Sequence, residues 1–314
     1  MKRLSIILLL TLTVPLLTLA QGSRSTVSLA DTTWPDRGFD FHIAAGMFTG
    51  STFNANYYNG SNLNECNIDY IFSNQYWREE WQRMVAENYR YISISDELTY
   101  NDPDDMDWNM HYSFRTIVGL AARYKFGNGW GVSLSYQYSQ LKAATQILLS
   151  SNAVSGNMVR QPVVALVGKE DRSMFDLSVS YLFSRAHRVV KPFVEAGVQF
   201  NYAKVKSFDA VLLDQDSKSV GNSYTLLDLF NGQGYYPGAL TYDNVVFGGP
   251  GFGFSAATGL KLVCNKNVSL DPAFYAAFAR NGIYEGKNKG GENKFAFSYG
   301  IMLRVVMSDY FFAK

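Results

Sequence analysis

Eight times along the chain, bulky apolar side chains alternate with small or polar ones for about ten residues or more. Alternation at period two marks a strand with two unlike faces. The pattern predicts strands over about 39–48, 112–126, 130–141, 173–184, 191–206, 251–264, 268–280 and 294–307. In the first, Phe39, Phe41, Ile43, Ala45 and Met47 share a face, and Asp40, His42, Ala44 and Gly46 take the other. In the second, Tyr112, Phe114, Val118, Leu120, Tyr124 and Phe126 oppose Ser113, Arg115, Gly119, Arg123 and Lys125. The last is the most regular, with Phe295, Phe297, Tyr299, Ile301, Leu303, Val305 and Met307 opposite Lys294, Ala296, Ser298, Gly300, Met302 and Arg304.

A soluble β-sandwich also alternates, but it places its bulky apolar face inside and uses shorter strands. Here the second face is rich in Gly, Ala and Ser with a few charges, which suits a narrow lumen, and the bulky face suits lipid. The connections alternate in length. Gly127-Asn128-Gly129, Ala186 to Val190 and Asn265-Lys266-Asn267 are short, and about 49–111, 142–172, 207–250 and 281–293 are long. The expectation is an all-β fold: an eight-stranded antiparallel transmembrane β-barrel over 39–308, with short periplasmic turns and long extracellular loops.

Composition narrows the reading further. Lys+Arg and Asp+Glu nearly cancel, 28 against 27, which argues against a nucleic-acid partner. Two cysteines and three histidines give no His/Cys metal set and no disulfide scaffold, so neither a metal nor a cofactor is implied. Residues 1–20 read as a signal peptide: Lys2 and Arg3, then an apolar run, then small Thr18 and Ala20 at the cleavage positions. Residues 21–38 read as a periplasmic leader and 309–314 as a C-terminal tail.

With these segments in place, the chain resembles the outer-membrane β-barrel proteins of Gram-negative bacteria, of the eight-stranded OmpA/OmpX-like type. The resemblance is architectural, with one specific motif. Ser298-x-Gly300-x-x-Leu303-x-Val305 is similar to the last-strand signal read in that family by the barrel-assembly machinery. The resemblance implies outer-membrane localisation, outer-membrane lipid around the wall, and the assembly machinery as a partner.

Eight strands leave a lumen that side chains fill. The charges on its walls must pair there, and the predicted network comprises Asp40, Arg115, Arg123, Asp176, Glu195, Lys261, Asp271 and Arg304. Arg304 is expected to meet Asp40 or Asp271, and Lys261 to meet Glu195 or Asp271. The first long loop carries a predicted helix over 74–89, capped by Ser73, with Glu79 and Arg83 as an i,i+4 pair. Its apolar face holds Trp77, Trp81, Met84 and Val85, read either as packing on other loops or as a candidate partner-binding face. Asp102, Asp104, Asp105 and Asp107 read as a solvated acidic turn rather than a Ca²⁺ loop. Cys66 and Cys264, at opposite ends of the barrel, read as free thiols. His42, His111 and His187 sit at different heights with no nucleophile motif beside them, so no enzyme is expected. The functional expectation is a barrel presenting large extracellular loops to an outer-membrane protein partner, as an accessory subunit of an assembly. The alternative is a narrow transport protein for small or apolar solutes.

Overall fold

The computed structural model describes residues 35, 37–64, 66–89, 92–100, 110–151, 161–183, 190–214, 216–220, 224–226 and 247–309. The signal-peptide reading, most of the leader, the Asp102–Asp107 turn and His187 lie outside the described residues.

Eight long strands form the wall: β1 (Arg37–Thr49), β2 (Arg115–Gly127), β3 (Trp130–Ser151), β4 (Val163–Leu182), β5 (Val190–Leu213), β6 (Gly248–Val263), β7 (Val268–Ala279) and β8 (Ala296–Ser308). Each pairs antiparallel with the next in sequence. The ring closes between β1 and β8, in a register running from Asp40 opposite Ser308 to Thr49 opposite Tyr299. The β2–β3 connection is tight because Gly127, Asn128 and Gly129 all take positive φ (99°, 53° and 85°), a region open to glycine and tolerated by asparagine.

β3, β4 and β5 run well past the other strands and rise as a curved sheet on the side of the long loops. Three short strands add to it: Leu98–Tyr100 and His111–Ser113 on β3, and Tyr224–Thr225 on β5. The inner face of this extension is apolar, with Leu141, Ala143 and Ile147 on β3, Val164 and Leu166 on β4, and Val205, Phe208 and Ala210 on β5 all buried. The first long loop folds against it through short helices at Thr52–Ala55 and Asp69–Phe72 and the longer α1 (Gln75–Asn88). The result is a cap whose own hydrophobic core joins Tyr57, Tyr58, Ile68, Ile71, Trp81 and Val85 to the extended strands.

The expected second strand breaks at its start. His111–Ser113 and β2 are separate, and the residues around Phe114 lose the alternation. Tyr112 turns inward and is buried, because its hydroxyl finds a carboxylate there, while Arg115 is exposed.

At Gly168 on β4, an added Cβ would stand 2.2 Å from the Tyr58 ring. Gly168→Ala is therefore expected to destabilise the seating of the cap by about 1–3 kcal/mol. Limited proteolysis of the first loop reads this directly, and an unchanged cleavage rate would contradict the packing.

Candidate functional site: the filled lumen and its cap

The outward faces form a continuous apolar belt. Leu134 (60%), Phe254 (61%) and Ile301 (59%) are typical in exposure, beside Phe41, Ile43, Val118, Leu120, Leu177, Val198 and Leu303. The belt spans Trp130 to Tyr138 on β3 and Phe175 to Phe183 just past the end of β4, about the nine to eleven residues a tilted strand needs to cross the hydrocarbon. Rings cluster at its ends, as in Trp130–Tyr181 (4.9 Å), Tyr124–Phe126 (5.2 Å) and Phe278–Phe295 (5.3 Å). The opposite faces carry buried Ser, Gln, Asn, Arg, Lys, Asp and Glu. No described helix is long and apolar enough to cross a membrane. A closed ring that is apolar outside and polar inside satisfies every backbone group while facing lipid.

The chain is an eight-stranded outer-membrane-type β-barrel. No protein-family model matches the sequence, and no curated protein matches it significantly. Among solved structures it is similar to Neisserial surface protein A (NspA), with 13% identity and a TM-score of 0.40 over 86% of this chain and 97% of that one. It is similar to the outer membrane protein OprG from Pseudomonas aeruginosa, with 11% identity and a TM-score of 0.41 over 88% and 99%. It is also similar to Ail, the attachment invasion locus protein of Yersinia pestis, with 10% identity and a TM-score of 0.32 over 86% and 98%. Ring closure and the apolar belt of this barrel carry the assignment.

Two ion-pair clusters fill the half of the lumen nearer the short turns. In one, Glu195 on β5 lies between Arg123 on β2, which donates to one carboxylate oxygen, and Arg304 on β8, which donates to the other at 2.7 Å. Both guanidinium groups also lie over the Phe193 ring. In the other, Lys125 reaches Asp40 at 2.8 Å, and Lys261 stands 3.5 Å from Asp271 and 3.9 Å from Asp40. These groups are all buried, so their mutual pairing replaces the water they lose.

The partner of Arg304 differs from those expected: it meets Glu195 rather than Asp40 or Asp271, because the strand tilt of a barrel displaces residues of equal index in height. Lys261 meets Asp271, one of its two expected partners, and Asp40 besides. Arg115 is exposed at the start of β2 and forms no ion pair with any described residue, so it takes no part in the network. Asp176 makes no ion pair with any described residue. It sits higher, where it accepts from Gln137 (3.0 Å), Gln199 (3.1 Å) and the Tyr275 hydroxyl (3.2 Å). Between His42, Gln137, Glu195 and Arg304 there is a void of only about 20 Å³, room for about one water.

The cap is tied down by polar groups the sequence reading missed. Glu170 on β4 is fully buried and accepts from Tyr58 (2.9 Å), Tyr112 (2.7 Å) and Arg172 (2.6 Å). Burial first, and the Glu170 carboxylate next, hold the Tyr58 hydroxyl well above the usual tyrosine range. The alternation that continues upstream from Asp176 through Met174 to Arg172 and Glu170 was the available signal, cut off by starting the fourth strand at 173. A second latch joins the first and last long loops. Asn54 donates to the Ile283 carbonyl (2.6 Å), Asn281 donates to Asn54 (3.0 Å), the Gly286 amide donates to Asn64 (2.9 Å), and Lys289 reaches Asn62 (2.7 Å).

α1 starts one residue later than expected. Asn74, not Ser73, caps it, accepting from the Tyr76 and Trp77 amides. Arg83 pairs with Glu80 at 2.6 Å, and Glu79 accepts instead from Gln75 at 2.7 Å. Trp81, Met84 and Val85 are buried in the cap and Trp77 packs partly buried against it, so this face is spent on folding and is not offered to a partner. The side of α1 facing solvent shows Tyr76, Glu79, Arg83 and Glu87. In the Ser298–Val305 motif, Ser298 and Gly300 face the lumen, where a Cβ at Gly300 would meet the Met47 carbonyl at 2.4 Å, and Leu303 faces lipid. Cys66 is buried, Cys264 is exposed, and neither forms a disulfide.

Glu195→Ala leaves two buried guanidinium groups without their carboxylate, and is expected to cost about 3–5 kcal/mol. Lys218→Ala, at a solvent-exposed pair, is expected to change stability by less than about 0.5 kcal/mol. The unfolding midpoints of the two variants in detergent should separate clearly, and equal midpoints would contradict the network. Trp81→Ala is expected to cost the cap about 3–5 kcal/mol. Faster hydrogen exchange in 66–89 with unchanged exchange in β6–β8 is the expected pattern.

Proposed function

We propose that this protein is a closed barrel that anchors a rigid extracellular cap for partner binding in the outer membrane, as an accessory subunit rather than a pore. The observation that carries this reading is the filling of the lumen at successive levels. The paired charges around Glu195 and Asp40, the Asp176 cluster and the cap follow one another along the axis, and the void between His42, Gln137, Glu195 and Arg304 has room for about one water. A solute path would require breaking several buried pairs at once. The cap, in turn, is held by its own hydrophobic core, the Glu170 cluster and the asparagine latch, which is more order than a surface loop needs. Preorganisation of this kind lowers the entropic cost of binding. The partner surface would be the outer side of the cap, where Tyr76 (64%) and Ile94 (62%) are exposed, rather than the buried face of α1. The barrel-assembly machinery would read the Ser298–Val305 strand during insertion.

The full-length protein in planar lipid bilayers is expected to give no stepwise conductance, and its extraction in mild detergent is expected to bring a stoichiometric companion whose retention falls at least fivefold with Tyr76→Ala and Ile94→Asp together. Reproducible conductance steps in the native protein would overturn the closed-lumen reading and favour narrow transport.

A further inference from the structure

We propose that the outward face of β3–β5, just above the apolar belt, is a seat for the phosphate groups of anionic outer-leaflet lipid. The proposal rests on the reading that the long loops face outside, and does not depend on whether the lumen conducts.

The belt on these strands ends in an aromatic rim. Tyr136 lies against Phe175 at a tilt (ring centroids 4.8 Å apart) and shares a hydrogen bond with Ser173, whose cross-strand partner on β5 is Tyr202. Such a rim lies at the headgroup boundary. The outward positions that follow are Lys142 on β3, Lys169 on β4, and Lys204 and Lys206 on β5. Lys142 and Lys169 are direct cross-strand partners. Lys169 faces Ser207, and its neighbour Lys206 is the extra residue of the bulge between Lys169 and Glu170. Past this rung the outward face turns apolar again, with Val163, Ala165 and Val167 on β4.

Four lysines thus share one patch of wall in a chain whose whole net charge is +1. Two carboxylates answer them. Asp171 pairs with Lys206 at 3.0 Å and accepts from Gln140 at 3.2 Å, and Asp209, one outward position higher, accepts from Ser207 at 3.2 Å. Lys142, Lys169 and Lys204 form no salt bridge with any described residue. Like charges set directly opposite each other destabilise a sheet. A sheet gains nothing from placing Lys142 against Lys169 unless an anion sits between them. At this height the available anions are the phosphates of the surrounding leaflet, and ammonium groups carried just beyond an aromatic rim attract them.

The test uses the full-length protein in neutral detergent micelles, with the unfolding midpoint read against added lipid A, the same lipid A dephosphorylated, and inorganic phosphate at equal concentration. The native protein is expected to gain several degrees with the phosphorylated lipid alone. Lys142→Gln with Lys169→Gln is expected to lose at least half of that gain, and Lys218→Gln to keep it. Without any anion, the double variant should unfold at or above the native midpoint, since the repulsion is gone. That sign also shows that the variant folds, and Lys169→Gln alone, at an exposed position, gives the intermediate reading. Equal gains with both lipids, an undiminished gain in the double variant, or the same gain from inorganic phosphate would each overturn the proposal.

Discussion

Closure of the sheet between β1 and β8 is the constraint on which the rest depends. While the seam is open, two strand edges have unpaired amides and carbonyls, which lipid cannot hydrate. Once Asp40–Thr49 lies against Tyr299–Ser308, every wall strand has two neighbours, and the alternation of each strand acquires one meaning for the whole ring. Odd positions of β1 and β8 then face lipid. Even positions face the lumen, and Gly46 and Gly300 lie close against the backbone of the neighbouring strand across the seam. Closure also creates the electrostatic problem that the interior solves. Arg123, Glu195 and Arg304 come from three different strands and meet only because the ring brings β2, β5 and β8 to one axis.

The extension of β3–β5 poses a different problem. Its strands leave the membrane, yet their inner faces stay apolar, with Leu141, Ile147, Leu166 and Phe208 fully or nearly fully buried. The first long loop answers this by folding against them as a second, water-soluble type of core on top of a membrane barrel. Glu170 and Arg172 mark the join. They are the last inward charges on β4 before the surface becomes apolar; Arg172 donates to Glu170, and Glu170 accepts from Tyr58 and Tyr112, which anchors both ends of the loop. Lumen and cap are therefore one continuous filling, polar below and apolar above.

Much of the wall was legible in the sequence, because a residue in a membrane barrel has only two directions and the chemistry of each is extreme. Leu134, Phe254 and Ile301 could be assigned to lipid, and Asp40, Glu195 and Arg304 to the lumen, from period two alone. Their partners could not. Pairing inside a barrel depends on tilt and stagger, which the alternation does not encode, so alternation alone sets Arg304 against the neighbouring acidic strands rather than Glu195 three strands away around the ring. The second strand failed for a local reason. The phase slips at Phe114, so Tyr112 turns inward to a buried carboxylate partner 58 residues away in sequence, while Arg115 stays opposite Phe48 but exposed. α1 was visible from its spacing. Whether Trp81 met a partner or the molecule's own strands depended on how far β3 and β4 rise and on which of their faces the loop covers.

Cysteine cross-linking across the β1–β8 seam tests closure most directly. With Cys66 and Cys264 replaced by serine, paired cysteines at Ala45 and Leu303, and separately at His42 and Val306, sample both kinds of opposed position in the seam. Oxidation in outer membranes should give a disulfide in at least one of these pairs, and none in the control pair of Ala45 with Ile301, two residues out of register. Cross-linking in the control alone, or in none of the three, would contradict a closed ring in this register and with it the filled lumen.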